Sequence, residues 1–417
     1  MKTALLNSRG FALVLVLSLL AILVLLTYTI AAVTKVSGEI STAALYQTQA
    51  RQNALVAMRY ALGELQKYAG GDNRVTGMAG VVGVAGGDKL RQLTGIWGNP
   101  VGPRWLVSGA ANGGIPSING NRVIMVGSNT VGSTAGSEDQ ETVEAGLIEV
   151  NRLPYMIGNM AYWVGDEGVK VSTVLPDADT QTSALNGQLL RPDMRRIIQK
   201  PSFDPSATEL AGVLLLAQLP FTQTAKGATI SSAFHLATLC NRALASTIPT
   251  GVISAQGYIK GAFNINTTSV LVWRGLLEYP DRNNPAYGLS STSSLRNAEK
   301  ITARIATRGV PFTSVADFLA SGIVQDAFAS TPNKITSMTA QEFITDVSPI
   351  LAVRSDTFRI RAYGDAMNPA DADDVNVTPD SVAYCETIVQ RTNEDDSGGN
   401  GKKFVITYFR WLGPDDI

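Results

Sequence analysis

The segment from Phe11 to Thr34, FALVLVLSLLAILVLLTYTIAAVT, decides the architecture of this 417-residue chain. It contains no charged residue. As a helix rising ~1.5 Å per residue it would extend for ~36 Å, enough to cross a ~30 Å hydrocarbon core. Lys2 and Arg9 precede it. Because positive residues stay on the cytoplasmic side, we expect a cytoplasmic N-terminus, one membrane span and an exoplasmic remainder that begins near residue 35.

The residues that follow predict a continuation of the same helix. There is no proline from Glu39 to Ala69, and Gly70-Gly71 then supplies a C-terminal stop. Apolar residues recur at helical spacing on one face of this part: Leu55, Met58, Leu62 and Leu65. The sequence therefore predicts one long rod, in which residues 11–34 span the membrane and residues 35–69 form an amphipathic half that docks on a folded region.

The basic leader before the apolar segment differs from an ordinary signal peptide. A secretory signal is cleaved after its apolar core, whereas the plausible processing site here, Arg9-Gly10-Phe11, precedes it. This arrangement resembles the prepilin family, which comprises type IV pilins and type II secretion pseudopilins. The resemblance implies that a prepilin peptidase removes residues 1–10 by cutting between Gly10 and Phe11, and that Phe11 is N-methylated. A plain N-terminal anchor is the alternative.

Other stretches are similar to one branch of that family. Pilins that form a filament shaft carry Glu as the fifth mature residue, whereas here that residue is Leu15. The large minor pseudopilin K also lacks this Glu. GAFNINTTSVLVWRGLL (261–277) and ARIATRGVPFTSVADFLASG (303–322) resemble the helical domain of that subunit, and VRSDTFRIRAYG (353–364) resembles its first strand after the insertion. The residues that match the helical-domain motifs are Asn264, Asn266, Thr267, Arg308, Pro311, Phe312, Ser314, Asp317 and Phe318.

Local patterns divide the remainder into three regions. Residues 70–204 are Gly-rich with β-type runs, and within them 161–174 are predicted to form a hairpin. Residues 205–350 are predicted to be an inserted α-helical domain, and residues 351–417 an antiparallel sheet of three strands with period-two alternation. The fold class expected is α+β. A pilin-like long helix packs on an antiparallel sheet, which is interrupted by a helical domain of helix-hairpin-helix type.

Helix signals mark the predicted insertion. Ser206–Glu209 and Thr339–Glu342 both have the capping-box pattern. Ser314 precedes an apolar run with Asp317 in its first turn, and Gly322 is placed to end that helix. The short polar side chains of Asn266, Thr267 and Thr268 are predicted to cap the helix that follows them.

The composition argues against catalysis and against nucleic-acid binding. Lys and Arg total 34 and Asp and Glu total 35, so the net charge of −1 gives no field that would attract a polyanion. His235 is the one histidine, and its neighbourhood predicts a structural residue on a helix. Asp166 and Glu167 are interpreted as turn residues in preference to catalytic carboxylates. We therefore expect a protein that is not an enzyme and that has no nucleic-acid partner.

Two further features leave alternatives open. No cofactor is required, but DADDVN (371–376) offers oxygen ligands for a structural calcium ion at Asp371, Asp373 and Asp374. A solvated loop is the alternative. Cys240 and Cys385 both fall in the expected exoplasmic part, where a disulfide is permitted, and two buried free thiols are the other possibility.

Together the resemblance and the anchor imply a non-catalytic minor pseudopilin in the inner membrane, with periplasmic domains, at or near the tip of a type II secretion pseudopilus. The partners implied are other minor and major pseudopilins or pilins, the prepilin peptidase, the inner-membrane assembly platform and membrane lipid. A minor pilin of a type IV pilus, or of another pilin-like surface filament, is the first alternative. A tethered exoplasmic enzyme or binding protein is the second.

Overall fold

The computed structural model describes residues 8–84, 89–98, 101–132, 138, 141–152, 155–172, 223–225, 228–230, 234–238, 241–244, 258–260, 262–277, 291–329, 339–368 and 378–417. Within these ranges the chain combines one long apolar N-terminal helix, antiparallel sheets and further short helices. The predicted α+β class is therefore correct at this coarse level.

The helices of the described residues are α1 (Ser8–Ala69), α2 (Ser128–Val131), α3 (Val270–Leu277), α4 (Ser291–Thr307), α5 (Val315–Ala320), α6 (Ile323–Ala329) and α7 (Ala340–Val347). The strands are β1 (Val75–Met78), β2 (Thr94–Gly98), β3 (Val101–Trp105), β4 (Arg122–Val126), β5 (Val143–Gly146), β6 (Ile148–Arg152), β7 (Tyr155–Asp166), β8 (Val171–Ser172), β9 (Gln223–Ala225), β10 (Ala228–Ile230), β11 (Ala237–Thr238), β12 (Arg242–Leu244), β13 (Tyr258–Lys260), β14 (Phe263–Asn264), β15 (Leu351–Ala352), β16 (Thr357–Ala366), β17 (Ser381–Asp395) and β18 (Lys402–Leu412).

α1 is one continuous helix of 62 residues, as the unbroken pattern predicted. It ends at Ala69, directly before Gly70-Gly71, so the predicted stop is confirmed. Its second half lies on the main sheet, whereas its first half extends away from every other described element.

Among the described residues the main sheet has five strands in the order β18-β17-β16-β7-β6, and all its pairings are antiparallel. The three C-terminal strands lie where the period-two alternation predicted them. Ala362 pairs with Tyr162 on one side and with Cys385 on the other, which fixes the register across the centre. One face carries the apolar side chains that α1 covers, and the opposite face is covered by residues from β4, β5 and the Phe234 turn.

Two local predictions were wrong. Residues 161–172, the described part of the predicted hairpin, do not pair with each other, because β7 runs to Asp166 and pairs with β16, while β8 pairs in parallel with β11. His235 lies in a turn and not on a helix, because the residues that follow it pair with β8. Residues 205–222 of the predicted helical domain lie outside the described residues. The described residues between 223 and 264 include short strands, and those from Val270 to Val347 include five helices.

The helical region has its own apolar core. α3 packs on α4, and Trp273, Phe312 and Phe318 are buried at its centre. Two predicted caps are confirmed. The Ser314 side chain accepts a hydrogen bond from Asp317 N, and Thr339 with Glu342 forms a complete capping box. The other predicted box, Ser206–Glu209, lies outside the described residues.

Candidate functional site

The first half of α1 presents a continuous apolar surface. Every side chain from Ala12 to Leu45 is exposed, and an 18-residue window in the helix reaches a mean hydropathy of 2.8 with none of it buried. By length and composition this helix is able to cross a membrane. A long exposed apolar surface is unfavourable in water at ~25 cal/mol per Å², so lipid or other protein must cover it.

Gly10 and Phe11, the residues of the predicted processing site, lie in the first turn of α1, which begins at Ser8. The Gly10–Phe11 bond therefore lies at the N-terminal end of the described part of the helix, directly before the apolar surface. Whether it is cut stays a prediction.

The second half of α1 docks through small side chains. Ala50, Ala54, Ala57 and Ala61 are completely buried against the main sheet. Gly364 on β16 lies directly beneath them. A Cβ at that position would lie 2.2 Å from Ala54 N and 2.4 Å from Ala50 O, so the glycine allows helix and strand backbones to touch. This close approach fixes the position of the helix on the sheet.

Polar side chains of α1 add hydrogen bonds to strand backbones. Asn53 is buried, and its Nδ2 donates to the Asp365 carbonyl oxygen at 2.7 Å. Gln66 bonds to β18 twice, because its Nε2 donates to Lys402 O at 2.9 Å and its Oε1 accepts from Phe404 N at 2.8 Å. These bonds set the rotation and register of the helix, which apolar packing alone leaves loose.

Two buried arginines bind the C-terminal end of α1. Arg391 on β17 donates to Gly70 O, with its Nη2 at 2.7 Å, and Arg354 donates from Nη2 to Ala69 O at 2.8 Å. Asp356 lies between them, 3.3 Å from Arg391 Nη1 and 3.4 Å from Arg354 Nε. Terminal carbonyls lack intrahelical partners and carry partial negative charge, so this arrangement stabilises the helix end.

Asn264 and Asn266, which carried part of the resemblance, form a buried hub and not a helix cap. Asn264 Nδ2 donates to Thr76 Oγ1 at 2.9 Å and to Ser355 Oγ at 3.0 Å. Asn266 Oδ1 accepts from Phe312 N at 2.7 Å, and its Nδ2 donates to the Phe312 carbonyl oxygen at 3.1 Å. The two amides thus join β1, the helical region and the segment that leads into β16.

The N-terminus of α3 is capped by residues that the sequence did not indicate. Ser269 Oγ accepts from Val272 N at 3.2 Å, and the Glu138 carboxylate accepts from Val270 N at 3.1 Å. The predicted cap is therefore wrong for Asn266 and Thr268, whereas Thr267 Oγ1 does accept from Ser269 N, at 3.3 Å, just before the helix. The cap lies one residue later, and its acidic part comes from a distant segment that only the fold brings near.

The other residues of the matched motif do lie together. Arg308 Nη2 is bonded to Asp317 Oδ2 at 2.6 Å, and its guanidinium carbon lies 4.3 Å from the centre of the Phe312 ring. Phe312 meets Phe318 edge to face at 5.2 Å. Gly322 adopts a positive φ of 72° just after α5, as expected of a helix stop.

A buried ionic cluster on the face of the sheet away from α1 was not predicted. Glu167 lies 3.0 Å from Arg359 and 2.6 Å from Lys170, and Glu386 lies 3.0 Å from Arg361. Arg359 and Arg410 also contact Glu386, each at 3.1 Å. The Phe234 ring lies beneath three of these cations, Lys170, Arg359 and Arg361, at 4.6–5.1 Å.

The titration of the buried groups follows from this cluster. Burial alone would raise the pKa of Glu167, but Arg359 and Lys170 hold it at about 2. Glu386 is likewise held below its usual pKa by Arg359 and Arg361 against the effect of burial. Burial raises the pKa of Asp166 to about 6, despite hydrogen bonds from Ser355 and the Gly168 amide. Glu167 is thus held by two cations inside the cluster, and Asp166 accepts from the Gly168 amide at 2.7 Å, where the chain turns after β7.

His235 lies beside this cluster. Burial, together with the charge of Lys170, lowers the pKa of His235 to about 3, so the ring is neutral. Its Nε2 lies 2.8 Å from the Glu141 carbonyl oxygen, and the neutral ring therefore donates from that nitrogen.

The open questions on metal and disulfide chemistry concern residues beyond the described ranges. Asp371, Asp373, Asp374 and Cys240 all lie outside them. In the part that the structure describes, no group of three or more His, Cys, Asp or Glu side chains is arranged to hold a metal ion. Cys385 is a free, buried thiol that faces Ala54 of α1, and burial raises its pKa to about 12.

Comparisons with known proteins found no family model that matches the chain and no match among curated proteins.

Proposed function

We propose that this chain is a membrane-anchored, non-catalytic, pilin-like minor subunit that resembles minor pseudopilin K and supports protein export at the tip of a type II secretion pseudopilus. One observation carries the proposal. α1 is continuous, yet only its second half is used by the fold, while its first half is apolar and uncovered. Such a helix can move from a membrane into a filament core without any change in the domain that it carries.

Processing fits this division of α1. Removal of residues 1–10 by a prepilin peptidase would leave the docked part, from Tyr46 to Ala69, untouched. The new N-terminus at Phe11 would begin the apolar half directly. The remaining partners would be lipid, the inner-membrane assembly platform and neighbouring pseudopilins, all of which would contact the exposed half.

Leu15 favours a tip position over a shaft position. In the shaft of the resembled family, the Glu at this position of one subunit pairs with the terminal amine of the next. A charge left unpaired in an apolar core costs several kcal/mol. Leu15 would impose that cost at every repeat of a shaft, but at most once in a cap.

The proposal is tested by counting this subunit in isolated filaments, with crosslinking and mass spectrometry to name its neighbours. Wild-type protein should be present in few copies, next to other minor pseudopilins. Leu15→Glu should change its incorporation, whereas the matched control Leu17→Glu should only weaken insertion into the membrane. A regular shaft composed of this chain would contradict the tip position, and neighbours unrelated to pilins would contradict the proposal as a whole.

The minor pilin of a type IV pilus stays the alternative, since α1 serves both assemblies in the same way. The same crosslinking separates the two. Neighbours that are pilus subunits and a pilus assembly platform would favour this alternative over the secretion system.

A further inference from the structure

β18 is an edge strand whose outer side is open among the described residues. It has 11 residues, and within it Phe404–Phe409, FVITYF, has no charge and no proline. The charged residues Lys402, Lys403 and Arg410 lie near the two ends, and the register with β17 shifts at Thr407. An open edge offers unpaired N–H and C=O groups to other chains, and here charges and one irregularity limit it without closing it. No described strand pairs with the outer side of β18, and Gln66 of α1 reaches only its first residues.

Apolar side chains project next to this open edge. Ile406 is 45 % exposed, and Phe409 and Trp411 are each 38 % exposed. All three lie on the face that α1 covers, since their partners on β17 include the buried Val389 and Cys385. The rings of Phe409 and Trp411 meet edge to face at 5.4 Å. Exposed aromatic residues held in this way are typical of the centre of a binding interface.

The charge beside this apolar strip is positive. The guanidinium of Arg51 lies 5.4 Å from the centre of the Trp411 ring, and Arg59 is exposed two turns farther along α1. Neither arginine forms an ion pair with another described residue. The acidic residues near β18 are mostly paired already. Glu394 and Asp395, at the end of β17, pair with Lys403 and Lys402, and Asp416 pairs with Arg410, while Asp415 is exposed after the strand.

We propose that the outer edge of β18, together with Arg51 and Arg59, binds an extended apolar segment of a different membrane-anchored subunit by strand addition. That segment would carry acidic residues opposite the two arginines, because Arg51 and Arg59 have no ion-pair partner among the described residues. Backbone hydrogen bonds would supply affinity, and the aromatic strip and the arginines would supply register and specificity.

The direction of β18 argues for a different subunit over a second copy. Lys402 lies beside Gly70, at the end of α1 away from the apolar half, and Trp411 lies beside Arg51, so β18 runs back toward the apolar half. Copies anchored in one membrane would all direct β18 the same way. They could not form the antiparallel pairing that is the commoner of the two kinds. This step rests on the membrane anchoring proposed above.

The test is a photo-crosslinking amino acid placed at Phe409 of the full chain in its own cells, with Tyr408, on the other face of the strand, as the matched control. Crosslinked peptides would be identified by mass spectrometry. We expect Phe409 to capture an apolar segment that contains Asp or Glu from another membrane-anchored protein, and Tyr408 to capture much less of it. Arg51→Glu with Arg59→Glu should reduce the yield roughly fivefold, as expected from two exposed ion pairs.

Further controls keep the result interpretable. Arg296→Glu, at an exposed arginine on α4, should leave the yield unchanged, and the unfolding midpoint of each variant should show that it folds. Equal capture from Tyr408, capture of a second copy, capture of a basic segment or no capture would each overturn the proposal. A failure of the proposed membrane anchoring can be distinguished from a failure of the strand-addition proposal, because the wild-type chain would then be found in the soluble fraction.

Discussion

The two halves of α1 share one backbone structure but have opposite environments. From Ala12 to Leu45 every side chain is exposed, whereas Ala50, Ala54, Ala57 and Ala61 are completely buried on the sheet. Bulky Leu, Val and Ile residues dominate the first half, and alanines line the docked face of the second. Both halves form the same continuous helix. They differ in the size of their side chains, and the half lined with alanines is the one that can approach a strand closely.

The consequence is a helix with separable roles. The fold holds the second half through backbone-level contacts at Gly364, through hydrogen bonds such as that of Asn53, and through two arginines at its end. The described domain makes no use of the first half. Substitutions should therefore affect the stability of the domain strongly in one half and hardly at all in the other.

The largest effect is expected at the closest contact. Gly364→Ala should lower the free energy of unfolding by about 3 kcal/mol, because its Cβ would meet the backbone of Ala54 and Ala50, which cannot move aside as a side chain can. The measurement is denaturant unfolding of the full chain in detergent micelles, followed by tryptophan fluorescence. Gly102→Ala, where a Cβ has open space, is the control. Equal stability of the two variants would contradict the close docking.

The end of the docked half is expected to contribute somewhat less. Arg391→Met should cost about 2–3 kcal/mol in the same unfolding assay, because the Gly70 carbonyl loses two bonds and the buried Asp356 loses the ion pair with Arg391. Lys403→Met, at a half-exposed residue of the neighbouring strand, should change stability by less than ~0.5 kcal/mol. A variant as stable as the control would show that the arginine does not hold the helix end.

A smaller effect is expected at Asn53. Asn53→Ala should cost about 1–2 kcal/mol, since it leaves the buried Asp365 carbonyl without this donor. The adjacent Gln52→Ala changes an exposed side chain on the same helix and should be close to neutral. If both variants lose the same free energy of unfolding, the loss comes from helix propensity and not from the hydrogen bond between Asn53 and the sheet.

The smallest effect is expected in the first half. Leu23→Ala should leave the unfolding of the domain unchanged within ~0.5 kcal/mol, because Leu23 is exposed and contacts no other described element. If the free energy of unfolding falls by several kcal/mol, as for a buried leucine, the first half packs on the domain. The two halves of α1 would then not have the separate roles described here.

The sequence predicted those features that depend on neighbours along the chain. The extent of α1 followed from an uninterrupted helical pattern and a double glycine, and the three C-terminal strands from period-two alternation. The cap at Ser314 followed from the polar residue before an apolar run and the acid three residues later. Each of these signals acts within one turn or one strand.

The features that were missed depend on distant segments. Arg359 and Arg361 alternate with apolar residues, a pattern typical of a strand with one solvent-facing side, yet another layer covers that side of β16 and the arginines pair with Glu167 and Glu386. The available signal for this buried cluster was the presence of two arginines on a strand that lies at the centre of the sheet. Asn264 is a hub because three separate segments converge on it, which no local spacing reveals.

The intact mass of the wild-type protein isolated from membranes tests the central claim most directly, since the claim is that the apolar half of α1 is kept as the assembly element. We expect a chain from Phe11 to Ile417 with one added methyl group, and Gly10→Val should instead retain residues 1–10. Gly38→Ala, at a helix glycine with open space around it, is the control and should be processed normally. A wild-type chain that begins at Met1, or one cut after the apolar segment, would contradict the account.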